Sequence, residues 1–188
     1  MPSKISTLRI IAGKWRSRKI SFVQLKGVRP TKNVCRETLF NWLAPVTACA
    51  NCLDLFAGSG ALGFEALSRG AKHVVMVDAS MQIIHKLKEN AELLQASNID
   101  FYCAQIPQRI NKIPKQHFDI IFLDPPFHCG LIKSTCEKLL NSGYLAKDCL
   151  IYIEAEKELA VENIRPASWK ILRKKISGLV GSYLLQTV

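Results

Sequence analysis

Three glycines in the first third of the chain have a spacing typical of sites that bind nucleotide-like cofactors. Gly58, Gly60 and Gly63 form a G-x-G-x-x-G motif, and Asp78 follows eighteen residues after Gly60. Such glycines let the backbone and a helix N-terminus approach a ligand closely, and an acid at this distance binds the two hydroxyls of a ribose. Dinucleotides and S-adenosylmethionine both meet this description, so the motif alone does not distinguish them.

A carboxylate just before the glycines favours a cationic ligand. Asp54 would repel the doubly charged pyrophosphate of a nicotinamide cofactor, but it would attract the ammonium and sulfonium groups of S-adenosylmethionine. The alternative is that Asp54 only caps a turn at the end of a strand. The choice between the two cofactors therefore needs a second motif.

The second motif is Asp124-Pro125-Pro126-Phe127, which follows a strongly apolar segment. Two consecutive prolines lack N–H donors and have a fixed φ, so they make the chain rigid directly after a buried strand. A carboxylate, carbonyl oxygens and an aromatic ring are then presented together, as a flat heterocycle with an exocyclic amine requires. Alone, the motif is also compatible with a structural Pro-Pro loop. Together with the glycine motif it indicates an amino-methyltransferase rather than a nicotinamide oxidoreductase.

The segments around these motifs predict the elements that position them. Strands are predicted in five apolar segments, at residues 52–56, 73–78, 99–103, 118–124 and 149–155. Helices are predicted between them, with Ser80 as an N-cap, and residues 169–178 and 181–188 predict an antiparallel pair. Alternating strands and helices form a mostly parallel sheet, and such sheets bind ligands beyond the carboxyl ends of their strands.

Positive charge is concentrated at the start of the chain. The formal net charge is +11, yet ten basic residues lie within the first 36 residues and the first acid is Glu37. This asymmetry predicts a polyanionic partner, with a solubilising tail as the alternative. Apolar residues alternate with the basic ones, so we expect two strands around a turn at Ala12-Gly13-Lys14. We divide the chain into a basic extension, residues 1–28, and a catalytic domain, residues 29–188.

Other sequence features argue against a membrane protein or a metalloprotein. No apolar run approaches the roughly 20 residues that cross a bilayer, and the N-terminus has no apolar signal core. Cys49 and Cys52 form a lone C-x-x-C without a second pair. We therefore expect a cytoplasmic protein that binds no metal and no membrane.

Four blocks of the sequence resemble one known family in the same order. They are RIIAGKWRSRKI, RPTKNVCRETLFNWL, the paired cofactor-site segments DLFAGSGALGFEALSRGA and DIIFLDPPF, and GSYLLQ. From about Leu8 to Gln186 the chain resembles the bacterial 16S rRNA guanine-N2 methyltransferases that modify guanine 966 of the small subunit. The resemblance implies a Rossmann-like α/β fold of class I methyltransferases, with a mostly parallel seven-stranded sheet and one C-terminal antiparallel strand.

The resemblance also implies roles for particular residues. The residues expected to bind S-adenosylmethionine are Asp54, Phe56, Ala57, Gly58, Ser59, Gly60, Asp78, Ala79, Gln105 and Asp124. The residues expected to act in catalysis are Asp124, Pro125, Pro126 and Phe127. Asp124 would accept a hydrogen bond from guanine N2, and Phe127 would stack on the extruded base. The residues expected to bind RNA are Arg9, Lys14, Arg16, Arg18, Lys19, Arg29, Thr31 and Arg36. The expected partner is 16S rRNA within a partly assembled 30S subunit, and the protein is expected to act as a monomer.

Three positions depart from common methyltransferase patterns. Phe56 replaces a glycine found in many methyltransferases, but phenylalanine is usual in this subfamily. Asn33 and Val34 stand where an acidic and a basic residue are usual, which removes one expected contact. Residues 103–105 lack the common Asp or Asn near the adenine, so its amine is expected to contact Gln105 or the backbone.

Spacing alone defines the methyl acceptor only as a planar amine. An adenine or cytosine amino-methyltransferase acting on DNA or RNA is therefore the alternative enzyme. A chain of 188 residues has no room for a separate DNA target-recognition domain, which counts against a sequence-specific DNA enzyme. An RNA-binding protein with an inactive site is a further alternative, although both chemical motifs are intact.

Overall fold

The computed structural model describes residues 5–23 and 33–187. Its strands are β1 (Ile5–Arg9), β2 (Lys19–Val23), β3 (Asn51–Asp54), β4 (His73–Asp78), β5 (Ile99–Cys103), β6 (Phe118–Leu123), β7 (Leu145–Glu156), β8 (Trp169–Ser177) and β9 (Val180–Thr187). Its α-helices are α1 (Asn33–Leu43), α2 (Ala61–Ser68), α3 (Met81–Leu94), α4 (Leu131–Leu140) and α5 (Val161–Ile164). A short 3₁₀ turn spans Ile110–Lys112, and neither it nor α5 was expected from the sequence.

Seven of these strands form one sheet in the order β5-β4-β3-β6-β7-β9-β8. Strands β3 to β7 pair in parallel, and β9 is antiparallel to both β7 and β8. The chain order reverses between β3 and β6, and open sheets bind ligands beyond the strand ends at such a point. The predicted α/β class, with one antiparallel strand near the C-terminus, is confirmed.

Helices cover both faces of the sheet because each parallel crossover carries its helix back over the strands. We call face A the side that α1, α2 and α3 cover, where Phe122, Tyr152 and Leu184 are buried. Face B is the side that α4 and α5 cover, where Leu123, Ile153 and Tyr183 are buried. The two apolar cores lie on opposite sides of a sheet whose central strands are almost fully buried.

The N-terminal hairpin forms as expected, but its connection is longer than a tight turn. Strands β1 and β2 pair from Ile5 with Val23 to Arg9 with Lys19, so residues 10–18 form the loop. Within it, Gly13 has φ +81° and lies against Ser68 at the end of α2. Ile10 and Trp15 are buried in the face A core. The loop is therefore held by long-range contacts that short-range turn signals do not reveal.

Two helix starts near the sheet edge have contrasting caps. At α3 the Ser80 hydroxyl accepts a hydrogen bond from the Ile83 amide at 3.4 Å, as the sequence predicted. At α2 the N-cap is Gly60, and no side chain caps the free amides.

Within the described part of the chain, no helix has the length and apolar content needed to cross a bilayer.

Candidate active site

The two sequence motifs meet at the carboxyl edge of the central strands. Asp54, the last residue of β3, pairs in register with Phe122 of β6. Asp124 lies two residues beyond Phe122, so it is level with the loop that begins after Asp54. Adjacent strands are about 4.8 Å apart, which makes the glycine loop and the Asp124 segment direct neighbours.

Asp78 ties the glycine loop to the start of α3. Its carboxylate accepts hydrogen bonds from the amide of Gly58 at 3.0 Å and from the amide of Ser80 at 2.8 Å. Burial raises the pKa of Asp78, although the surrounding amides partly oppose this shift. An ionised carboxylate has about four acceptor sites, so capacity remains for a ribose hydroxyl beside these amides. The contact between Gly58 and Asp78 also explains why the acid follows the glycines at this distance.

Each of the three glycines has a separate structural reason. Gly58 has φ +49° and is partly exposed. Apart from its chain neighbours, the one described heavy atom within 4 Å of an added Cβ is the Phe56 carbonyl oxygen, at 3.8 Å. Gly60 has φ +77°, and a Cβ there would lie 2.6 Å from Leu87 Cδ2. At Gly63 a Cβ would lie 2.3 Å from the Met76 side chain, so this glycine allows α2 to pack closely on β4. Only Gly58 leaves open space on the accessible side of the loop.

Asp54 is a buried acid beneath this loop. It is 1% exposed, and among the described residues no donor has good hydrogen-bond geometry to either carboxylate oxygen, although the backbone amides of Gly63 and Phe56 lie close by. Burial and the nearby Asp124 carboxylate raise the pKa of Asp54 to about 7, while the amides of Gly63 and Phe56 lower it in part. With so little accessible surface, Asp54 would act on a bound cation through its electrostatic field. The role expected for Asp54 in binding S-adenosylmethionine remains a prediction.

The Asp124 segment forms the other side of the site. Asp124 is partly exposed, Pro125 is buried, Pro126 is exposed and Phe127 is partly exposed. The Phe127 ring lies edge-on to His128, with ring centroids 6.4 Å apart. The structure therefore brings a carboxylate and an accessible aromatic ring to the strand end, as the motif predicted. The roles expected for these four residues remain predictions.

A second acidic side chain lies beside Asp124 and was not identified from the sequence. Glu154 on β7 is 4% exposed, and its Oε1 accepts a 2.6 Å hydrogen bond from the Tyr152 hydroxyl. The same hydroxyl lies 3.2 Å from Ser182 Oγ. Burial, followed by the Asp124 charge, raises the pKa of Glu154 to about 8. The only sequence signal was the pair of acids in IYIEAE at the end of an apolar strand.

The side expected to bind an adenine lies next to β4. The Ala104 amide donates to the Asp78 carbonyl at 3.0 Å, which places the segment after β5 beside the end of β4. The Cys103 thiol donates to the Ala79 carbonyl at 3.4 Å. Both Ala79 and Gln105 are exposed, so both are accessible to a ligand bound at this edge.

Five basic residues of the hairpin are exposed, as RNA contacts require. They are Arg9, Lys14, Arg16, Arg18 and Lys19. The Lys14 amide donates to the carbonyl of Ser68, the last residue of α2. The Arg18 side chain donates to the carbonyl of Leu93 near the end of α3. These contacts place the basic loop near the C-terminal ends of α2 and α3, whereas the glycine loop is at their N-terminal ends. The 14 residues of α3 correspond to a separation of about 20 Å.

Arg36 does not lie on the surface, which corrects the expectation that it binds RNA. Its side chain is 1% exposed, and its Nη1 lies 3.5 Å from a carboxylate oxygen of Glu65. Its Nη2 also donates to the Arg9 carbonyl at 2.9 Å. A buried guanidinium that holds the hairpin and α2 together does not reach a phosphate. The expected RNA contacts Arg29 and Thr31 lie outside the described residues.

The arrangement fits the expected S-adenosylmethionine. Asp54 lies buried beneath the glycine loop, where a bound cation would favour its ionised form, and Asp78 is placed for a ribose. Four acids, including Asp124 and Glu154, lie around this edge. A bound cation would favour their ionised forms, whereas a phosphate-rich ligand would be repelled by them. Among the described residues, no group of three or more His, Cys, Asp or Glu side chains is arranged to hold a metal ion.

Comparison with solved structures identifies the class. A methyltransferase from Escherichia coli, yhhF, superposes with a TM-score of 0.85 at 41% identity, covering 97% of this chain and 98% of that one. The Thermus thermophilus 16S rRNA N2 G1207 methyltransferase, solved with AdoMet and guanosine, has the same fold, with a TM-score of 0.72 at 20% identity. It covers 98% of this chain and 50% of its own. The fold and the site together are those of a class I S-adenosylmethionine-dependent methyltransferase.

Sequence comparison places the chain in one family within that class. A family profile described as conserved hypothetical protein 95 matches residues 8–186. The ribosomal RNA small subunit methyltransferase D of Haemophilus influenzae is 40% identical over 195 residues, covering 98% of this chain and 96% of its own length. The chain belongs to the ribosomal RNA small subunit methyltransferase D family.

Proposed function

We propose that the protein transfers a methyl group from S-adenosylmethionine to the exocyclic N2 of guanine 966 in 16S rRNA. The observation that carries this proposal is the position of Asp124 beside the glycine loop, close enough for its charge to raise the pKa of Asp54. The full-length similarity to small-subunit rRNA methyltransferases supports the choice of RNA. The choice of guanine follows from the family that the four sequence blocks resemble.

The glycine loop and the end of β4 would hold the donor. The backbone of residues 56–60 would lie against its methionine portion, and the Asp78 carboxylate would bind the ribose hydroxyls. Ala79 and Gln105 are exposed where the adenine would lie. The charge beneath the loop at Asp54 would favour the ammonium and sulfonium. When bound, S-adenosylmethionine supplies an electrophilic methyl group on a positively charged sulfur.

Asp124 and its neighbours would orient the acceptor. The N2 lone pair of guanine is delocalised into the ring, so the amine needs positioning as well as proximity. Asp124 would accept a hydrogen bond from N2–H, and with the Pro125 carbonyl it would aim the lone pair at the methyl carbon. The carboxylate would also stabilise the positive charge that builds on nitrogen as the N–C bond forms and the S–CH₃ bond breaks. S-adenosylhomocysteine would be the leaving group, and the methylated nitrogen, which is then strongly acidic, would lose one proton to water. Phe127 would stack on the base, a contact worth about 1–3 kcal/mol.

The partner and setting follow from this substrate. We propose that the exposed basic residues of the hairpin contact phosphates of 16S rRNA in a partly assembled 30S subunit. Ribosome assembly in bacteria occurs in the cytoplasm, so this is where the protein would act. We further propose that one chain forms a complete site, because the donor loop and Asp124 come from the same sheet edge.

The proposal is tested with labelled S-adenosylmethionine and a panel of unmethylated substrates. These are 30S particles, naked 16S rRNA and duplex DNA, and the labelled product is digested to nucleosides. We expect label in N2-methylguanosine from the ribosomal substrates and none in DNA. Label in adenine or cytosine would instead establish the alternative amino-methyltransferase, and donor binding without label in any substrate would support an inactive RNA-binding protein.

A further inference from the structure

A second concentration of positive charge lies at the opposite end of the chain from the hairpin. From residue 163 onwards there are five basic residues and no acid. Four of the five lie on β8, the edge strand of the seven-stranded sheet. Lys174 is paired, because its Nζ lies 2.6 Å from Glu162 Oε1. The other three are exposed, and we call them the basic stripe: Lys170, Arg173 and Lys175.

An irregularity in β8 places the three members of the stripe on one face. The register shifts between Ile171 and Arg173, so one extra residue is accommodated there. Side chains alternate along a regular strand, and an inserted residue reverses that alternation. As a result, Lys170 lies opposite Gln186, Arg173 opposite Leu184 and Lys175 opposite Ser182.

The stripe faces the same side as the acidic cluster of the site. Leu184 belongs to the face A core, and directly opposed residues project to the same side of a sheet. Ser182 pairs with Lys175 on one side and with Glu154 on the other. Strands are about 4.8 Å apart, so the Lys175 backbone is about 10 Å from that of Glu154 and about 14 Å from that of Asp124.

One hydrogen bond links this end of the stripe to α1. Lys175 Nζ donates to Thr38 Oγ1 at 2.9 Å, and both groups are at the surface. An extended lysine side chain spans several ångströms, so its ammonium can reach a strand that passes over Asp124 towards β8. The hairpin loop is anchored near the far ends of α2 and α3, and Arg36 of α1 donates to the Arg9 carbonyl at the base of this loop.

We propose that the basic stripe binds the phosphate backbone of the RNA strand that flanks the target nucleotide. This inference rests on the proposed function and specifies which surface holds the substrate near the reacting base. Charge complementarity favours RNA, because β8 and β9 contain no acid to offset the cations. Basic residues on an edge strand also protect it against pairing with other chains, which is the competing explanation. Of these two explanations, only RNA binding predicts that removing the stripe weakens the affinity for the RNA substrate.

The test compares two double variants. The stripe variant carries Arg173→Gln and Lys175→Gln, and the control variant carries Lys72→Gln and Lys115→Gln. Lys72 and Lys115 are also exposed, but they lie before β4 and β6, at the amino ends of the parallel strands and away from the site. At 0.15 M salt, loss of two phosphate contacts raises the KM for RNA about tenfold. It also reduces the slope of log affinity against log salt by about 1.4. The Kd for S-adenosylmethionine and the melting temperature stay at wild-type values, and the control pair leaves all four quantities unchanged.

The inference is overturned if the stripe variant has the KM and the salt slope of the wild type. It is also overturned if the variant only aggregates while its monomer keeps the normal KM, because that result identifies edge protection. If the double variant does not fold, the single Lys175→Gln variant is expected to lower the slope by about 0.7. Failure of the wild-type protein to methylate any ribosomal substrate would instead refute the proposed function, so the two failures are distinguishable.

Discussion

Two acids of the site differ in what they can touch. Asp54 is buried under the glycine loop with a pKa of about 7, whereas Asp124 is partly exposed at the next strand end. Only Asp124 is accessible to an acceptor base. Asp54 instead contributes to the potential in which a cationic donor would bind. At the residue scale, this separates the group that would orient the acceptor from the one that would favour the donor.

Replacing Asp124 by Asn is expected to reduce methyl transfer at least about 100-fold. Asn keeps a hydrogen-bond acceptor but lacks the negative charge that stabilises the developing positive charge on the amine. The affinity for S-adenosylmethionine should stay within about threefold of wild type, since the glycine loop and Asp78 are intact. Single-turnover methylation and calorimetric donor titration measure the two quantities.

A matched control for that experiment is Asp148→Asn. Asp148 is exposed and has φ +58°, a conformation that asparagine tolerates well. This variant changes the net charge equally but away from the site, so it should methylate at the wild-type rate. If Asp124→Asn also methylated at that rate, the carboxylate would have no part in the chemistry.

At the scale of elements, the hairpin is part of the folded domain as well as a basic surface. The amides of Ile11 and Ala12 donate to the Glu65 carboxylate at 2.8 Å and 3.0 Å. Glu65 is fully buried and also pairs with Arg36 and Arg69. Deleting residues 1–20 would therefore leave a buried charge without two of its donors and open the face A core. Such a deletion would test stability rather than RNA binding.

Gly13→Ala is expected to destabilise the protein by about 2 kcal/mol or more. A Cβ at Gly13 would lie 1.8 Å from the Ser68 carbonyl oxygen, a backbone atom that cannot move without disturbing α2. Ser17→Gly is the matched control in the same loop, because Ser17 has φ +67° and glycine relieves that strain. Urea unfolding should show a lower midpoint for Gly13→Ala and an equal or higher one for Ser17→Gly. Equal midpoints for all three proteins would mean that the loop is not docked on α2.

How far the sequence predicts these elements depends on how local their causes are. Apolar segments and the Ser80 cap sufficed to locate the strands of the sheet and the start of α3, since both signals lie within a few residues. Arg36 was misplaced because its partner Glu65 is 29 residues away. Glu154 was missed because only the register of β7 places it beside Asp124. The basic stripe was missed because an irregularity in β8, which sequence periodicity does not reveal, brings its three members to one face.

At the scale of the whole molecule, the acids of the site reduce stability. Glu154 has an ordinary pKa of 4.5 when unfolded and about 8 when folded, and Asp54 rises from 3.8 to about 7. The folded protein therefore binds more protons than the unfolded chain between these values. Both groups therefore contribute fully to the stability of the folded protein below their unfolded pKa values. This contribution is lost as the pH rises through their folded pKa values. A site that attracts a cationic donor thus costs the protein stability at neutral and alkaline pH.

Glu154→Gln is expected to remove part of this cost. Glutamine is uncharged, and its side-chain oxygen can still accept the hydrogen bond from Tyr152. The variant should match the wild type in free energy of unfolding near pH 4.5 and exceed it at pH 8.5, on the order of 3 kcal/mol. Urea unfolding at several pH values measures the difference, and Glu158→Gln, an exposed residue just after β7, is the control with no such trend. If the two variants showed the same pH dependence, Glu154 would be ionised without penalty. The acidic edge would then be more hydrated than its burial indicates, and the electrostatic preference for a cationic donor would be correspondingly weaker.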